Sequence, residues 1–174
     1  MDEKLLFKGI LIVSDMDKTL LTEDFEVPQR NIDAIEKFIS KGGHFSLATG
    51  RSAESAEKYL KKVPINSPCI LTNGASIFDF RIHEILWNAE LSDSIKTLLP
   101  NILERFPDIG MEIYKDEQIY IINKSRRTEQ HIINEGIKFT ECSIDDVTGS
   151  WQKVLFADEN SKLLKVQDYI KELG

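Results

Sequence analysis

The sequence predicts a doubly wound parallel α/β sheet followed by a separate α+β segment. Residues 10–75 alternate short apolar runs with amphipathic helical stretches at the spacing of β–α–β units. Each apolar run ends in small polar residues, at Asp15-Met16-Asp17, Thr49-Gly50-Arg51 and Thr72-Asn73-Gly74. After Ala75 this grammar gives way to hairpins, helix, strand and helix.

Ile10 to Val13 is an unbroken run rich in β-branched residues, the pattern of a strand buried on both faces of a parallel sheet. A polar connection, Thr22 to Val27, leads to Pro28 at a first helical position. Ile32, Ile35, Phe38 and Ile39 make one helical face, which Lys41-Gly42-Gly43 ends. His44 to Ala48 is a second strand, and Ala53, Ala56, Tyr59 and Leu60 line a second helix closed by Pro64. Cys69 to Thr72 is the third strand.

Ile77–Phe80 and His83–Trp87 predict a hairpin around Arg81-Ile82. Leu91, Ile95, Leu98, Leu99, Ile102 and Leu103 form a helical stripe that Pro100 should break or kink. Met111–Tyr114 and Gln118–Ile122 predict a second hairpin, Ser125–Asn134 a helix and Trp151–Ala157 a strand. Ser161 opens a last helix with Leu163, Val166, Ile170 and Leu173 on one face. The two domains are expected at 1–83 and 84–174.

Composition bounds the function. A 174-residue chain with 41% hydrophobic and 29% charged residues has material for a core. Its net charge of −7 and the lack of a basic cluster beyond Arg126-Arg127 argue against nucleic acid or an anionic membrane as partner. Cys69 and Cys142 lack metal-type spacing and read as free buried thiols. His44, His83 and His131 have no companions at ligand spacing and read as structural or surface residues. Met1-Asp-Glu-Lys leads straight into the first strand without a signal-peptide pattern, and no apolar run approaches membrane-spanning length, so a cytoplasmic protein is expected.

The chemistry concentrates at Asp15-Met16-Asp17-Lys18-Thr19. Along an extended backbone residues i and i+2 point the same way, so Asp15 and Asp17 should project together from the carboxyl end of the strand. Two like charges so placed call for a positive group near them. An ordinary polar turn accounts for the same residues, with Asp17 bonding nearby amides. In the setting of three strand ends meeting at one rim, the pair suits phosphoryl transfer. One carboxylate attacks phosphorus while the other handles protons.

These motifs resemble the haloacid-dehalogenase (HAD) superfamily, in particular its Cof-like phosphatases. Asp15-Met-Asp17-Lys-Thr19-Leu-Leu is similar to the first family motif, Ala48-Thr49-Gly50-Arg51 to the second, and Thr72-Asn73-Gly74-Ala75 to the turn after the third strand. The resemblance implies a Rossmann-like core with an inserted α+β cap. It implies Asp15 as nucleophile, Asp17 as general acid/base, and Mg²⁺ held by the Asp15 carboxylate and the Asp17 main-chain carbonyl. Met16, Thr49, Gly50, Asn73 and Gly74 would face the phosphoryl group or substrate, a small phosphorylated metabolite such as a sugar phosphate. Arg51 is left open between a phosphate contact and a carboxylate partner. Lys18 stands where the family usually has glycine.

The family also carries a later lysine and an acidic Gly-Asp/Asn-Asp loop, and neither pattern is found through Gly174. The resemblance therefore implies half a core plus most of a cap, weak activity for this chain alone, and an uncovered edge on strand one through which copies could associate. A phosphomutase of the same superfamily and a non-catalytic phosphate-binding module are the competing readings. A phospho-receiver domain is set aside, since it needs an acceptor aspartate where this chain has Thr72-Asn73.

Overall fold

The computed structural model describes residues 5–116, 118–136 and 138–173. Two compact units divide between Ala89 and Glu90. The division expected at 83/84 falls too early, because it would cut a hairpin whose strands β4 (Ser76–Asp79) and β5 (Glu84–Asn88) are hydrogen-bonded to each other.

In the first unit β1 (Leu11–Ser14) runs parallel to β2 (His44–Leu47), and a bridge between Ala48 and Ile70 joins β2 to β3 (Cys69–Leu71) in the same sense. β3, β4 and β5 continue antiparallel. The crossovers carry α1 (Gln29–Ser40) and α2 (Ala53–Leu60). Pro28 precedes α1 as its cap rather than occupying its first turn. Its lack of an N–H costs nothing at either position. Ile32 and Ile35 from α1 and Ala53 and Ala56 from α2 join Phe45, Leu47, Cys69 and Leu71 in one core.

β1 itself is not buried. Its only pairing among the described strands is with β2, and Leu11, Ile12 and Val13 keep 43–55% of their surface. The apolar run correctly marks a strand, but burial depends on neighbours that the run cannot specify.

An ion pair braces the β4–β5 hairpin, and the same arginine ties it to the rest of the unit. Arg81 sends Nη2 to Asp79 Oδ2 at 2.5 Å and Nε to Oδ1 at 2.9 Å, while Nη1 reaches the Asn66 carbonyl at 3.0 Å. The Arg81 guanidinium lowers the Asp79 pKa against the opposing effect of burial. A depressed folded pKa adds stability above the ordinary aspartate value, and that stability is lost as pH falls through the folded value. Arg81→Met should therefore narrow the gap between wild type and variant in urea midpoint as pH drops below the ordinary aspartate range. A gap that does not change with pH would show the pair contributes no linked stability.

The second unit is a four-stranded sheet in the order β8–β7–β6–β9. β6 (Met111–Lys115) pairs antiparallel with β7 (Gln118–Asn123) and with β9 (Lys153–Phe156). β8 (Phe139–Glu141) joins β7 in parallel after the crossover helix α4 (Arg126–Glu135). Helices α3 (Asp93–Arg105) and α5 (Asn160–Leu173) supply Leu99, Ile102 and Val166 to a core with Met111, Ile113 and Trp151. Pro100 does not end α3, which runs through it to Arg105. The lost intrahelical bond and ring clash are outweighed here by burial of Leu99 and Ile102 on either side. His131 is structural. Its Nδ1 lies 3.1 Å from the fully buried Glu112 carboxylate, which also accepts the Tyr114 hydroxyl at 3.2 Å. Both cysteines are free, and burial raises the Cys69 thiol pKa. No described helix is long and apolar enough to cross a membrane.

Candidate functional site

Main-chain hydrogen bonds lace the carboxyl ends of the first three strands together. Ala48 N–H donates to the Ser14 carbonyl at 2.9 Å and Thr49 N–H to the Ile70 carbonyl at 3.0 Å. From the third strand end, Asn73 N–H returns to the Thr49 carbonyl at 3.1 Å and Thr72 N–H to the Arg51 carbonyl at 3.0 Å. The Asn73 side chain lies so close to Gly50 that a Cβ added there would meet its amide atoms at 3.0 Å. Thr49, Gly50 and Asn73 thus gather at the rim from which Asp15 and Asp17 emerge. Gly74 follows with φ +92° and open space around it.

Asp15 is exposed, and its Oδ2 accepts the Thr19 hydroxyl at 3.2 Å. After it the chain coils tightly over Met16–Leu20, closed by Leu21 N–H on the Met16 carbonyl at 2.8 Å. The simple extended spacing that would aim both carboxylates alike is therefore interrupted between them. Met16 turns its side chain wholly into the core, so only its main chain can face a ligand. Asp17 is drawn to a different partner from Asp15.

That partner is Arg51. Nε donates to Asp17 Oδ2 at 3.0 Å and Nη2 to Oδ1 at 2.8 Å, a fork-to-fork pair. The guanidinium is itself held: Nη1 donates to Ser55 Oγ at 2.8 Å, and the Tyr59 and Phe25 rings lie 5.0 and 5.7 Å away. Arg51 is 4% exposed, whereas the Asp17 side chain is 42% exposed. The positive group expected beside two carboxylates is present, and Arg51 pairs with one of them. Thr49 is buried and its Oγ1 accepts the Arg51 N–H at 3.2 Å, which leaves its own hydroxyl proton to donate elsewhere. Ser52 caps α2 by accepting the Ser55 N–H at 3.3 Å.

Lys18 adopts φ +59°, ψ 11°. This is the left-handed region, which costs a residue with a Cβ about 1–2 kcal/mol relative to its normal helical well. Lys18→Gly should stabilise the first unit by roughly 1 kcal/mol, less what glycine gains in the unfolded chain. Denaturant midpoints of the two chains test this; a lower midpoint for the glycine variant would show that the lysine side chain contributes more than its strain costs.

Comparison with known proteins bears on the family of the chain. Residues 12–174 match the family of haloacid dehalogenase-like hydrolases. A relative from Buchnera aphidicola subsp. Baizongia pistaciae, which bears a provisional phosphatase name, is 28% identical over 92% of this chain and 60% of its own length. The HMP-PP phosphatase of Serratia proteamaculans is 24% identical over 90% of this chain and 57% of its own. This chain therefore spans less than two thirds of the length of these relatives. Among solved structures, a haloacid dehalogenase-like hydrolase from Bacteroides thetaiotaomicron superposes with a TM-score of 0.79 at 20% identity, covering 94% of this chain and 63% of that one. With the family matched over nearly all its residues, this chain belongs to the haloacid dehalogenase-like hydrolases, of the Cof-like kind.

Proposed function

We infer that this chain carries the nucleophile-bearing part of a magnesium-dependent phosphoric monoester hydrolase acting on small phosphorylated metabolites such as sugar phosphates. The observation that carries the reading is the split environment of the two carboxylates. Asp15 is exposed beside a neutral hydroxyl, free to approach phosphorus, while Asp17 is held by Arg51 next to it. A carboxylate oxygen of Asp15 attacks phosphorus, and the P–O bond to the leaving group breaks as Asp17 supplies its proton. Asp17 then takes a proton from the water that attacks the aspartyl-phosphate, releasing phosphate and restoring Asp15. Both Asp17 oxygens sit in the Arg51 fork, so proton delivery requires one of them to leave it. Arg51 is thus a positioning residue.

The Thr49 hydroxyl and the Gly50 amide are suited to hold phosphoryl oxygens, with Asn73 and Gly74 toward the substrate. The chain's second unit, 90–174, takes the part of a cap. By the family resemblance, Mg²⁺ would rest on the Asp15 carboxylate and the Asp17 main-chain carbonyl. These are hard oxygen donors, and Mg²⁺ commonly binds through one or two carboxylates while keeping waters and substrate oxygens. When bound, the ion offsets negative charge on the phosphoryl group. The relative named HMP-PP phosphatase supports a small phosphorylated substrate.

Acid-quenching the chain during incubation with acetyl phosphate and Mg²⁺ tests the reading. One phosphoryl group should appear on the peptide containing Asp15, labile to hydroxylamine as an acyl phosphate is. Label on Asp17, or on serine or threonine, would refute the assignment.

A further inference from the structure

We propose that the second unit holds a separate binding site for a small polyanion with a planar or apolar part, of the nucleoside diphosphate kind. The site is a cavity of about 310 Å³ where the end of α3 meets the first turns of α5. Its volume lies at the lower end of the range for small-molecule pockets. Arg105, Lys162 and Lys165 line it, and Phe106, Pro107 and Ile109 supply an apolar floor.

Three cations line this one cavity in a chain of net charge −7. Lys162 shares Asp158 at 3.2 Å, but Arg105 and Lys165 have no carboxylate partner among the described residues. Asp108 is the one acid in the lining, so cationic charge prevails. Lys162 and Lys165 lie three apart on α5, which places both on one helix face. The floor is held in place: Ile109 is 1% exposed, and the Phe106 ring stands edge-on to Tyr169 at 5.8 Å. The Arg105 guanidinium lies 5.7 Å from the Phe106 centroid. A guanidinium on a ring face keeps its N–H edge for phosphate oxygens while the neighbouring apolar surface accepts a flat group. This combination distinguishes the cavity from a solvated row of lysines.

The test is calorimetric titration of ADP into the 174-residue chain carrying Asp15→Asn, which removes the proposed nucleophile. Saturable binding should weaken about tenfold or more for each cation removed, by Arg105→Gln and by Lys165→Gln, since each takes away a charge-assisted hydrogen bond to phosphate. Charge reversal with Arg105→Glu and Lys165→Glu should abolish it, while Thr49→Val leaves it unchanged. Circular dichroism checks that each variant is folded, as expected for exposed positions. No saturable binding, affinity unaltered by the Arg105 and Lys165 substitutions, or affinity lost with Thr49→Val would overturn the site. Failure of aspartyl-phosphate formation would leave this result untouched, because no residue is shared.

Discussion

Asp15→Asn should abolish aryl phosphate turnover, by about 10³-fold or more relative to the unsubstituted chain, and should remove the trapped phosphoryl label. The amide cannot serve as the attacking oxyanion, and removing a covalent nucleophile takes away the two-step route altogether. Asp15 is exposed, with the Thr19 hydroxyl as its hydrogen-bond partner, so the substitution should leave folding intact. Asp17→Asn should behave differently. It keeps the nucleophile but loses proton transfer, for which a loss of about 10²–10⁴ is usual. The deficit should shrink for substrates with good leaving groups, which need little protonation. It also disturbs the Arg51 fork, so thermal unfolding of that variant should be followed alongside. Turnover that survives Asp15→Asn would mean a contaminant or a different nucleophile. An Asp17 effect equal for good and poor leaving groups would deny it the acid role.

The second large effect concerns the β1 edge. The chain should self-associate, with a concentration-dependent sedimentation coefficient, through β1 of two copies. One side of this strand has no hydrogen-bonded neighbour among the described strands, and Ile10 to Val13 are all 43–55% exposed. Unpaired edges of this kind attract another strand, and natural edges are protected by proline, inward charge or bulges. None of these occurs in Ile10 to Val13, with Lys8 the nearest charge before it. Apolar surface left in water costs about 25 cal/mol per Å², which adds to the drive. Ile12→Lys should shift the chain toward monomer without changing α1 or β2, since its side chain is already half in solvent. A chain that stays monomeric at all concentrations, with β1 amides exchanging freely, would refute the pairing.

Much of the first unit was legible because its signals are local. Apolar runs, helical periodicity and the small polar strand ends identify β1, α1, β2, α2 and β3 in order, and with them the loops bearing Asp15, Thr49 and Asn73. The fork from Arg51 to Asp17 was legible only as one of two alternatives, a carboxylate partner or a phosphate contact. It joins residues 34 positions apart, and one-dimensional spacing cannot say which of several anions a buried guanidinium will meet. The Met16 side chain, the shift of the domain division to Ala89/Glu90, and the persistence of α3 through Pro100 belong to the same class. Each depends on what packs from elsewhere. β8 escaped notice because three half-polar residues, Phe139-Thr140-Glu141, carry no period to detect.

By itself, then, the sequence determined which residue types stand at each strand end, since strand and helix propensity is written in near neighbours. Only the tertiary structure decided how the two aspartates divide their surroundings and how far β1 is exposed to solvent. Those outcomes are set by burial and ion pairing between segments distant in the chain.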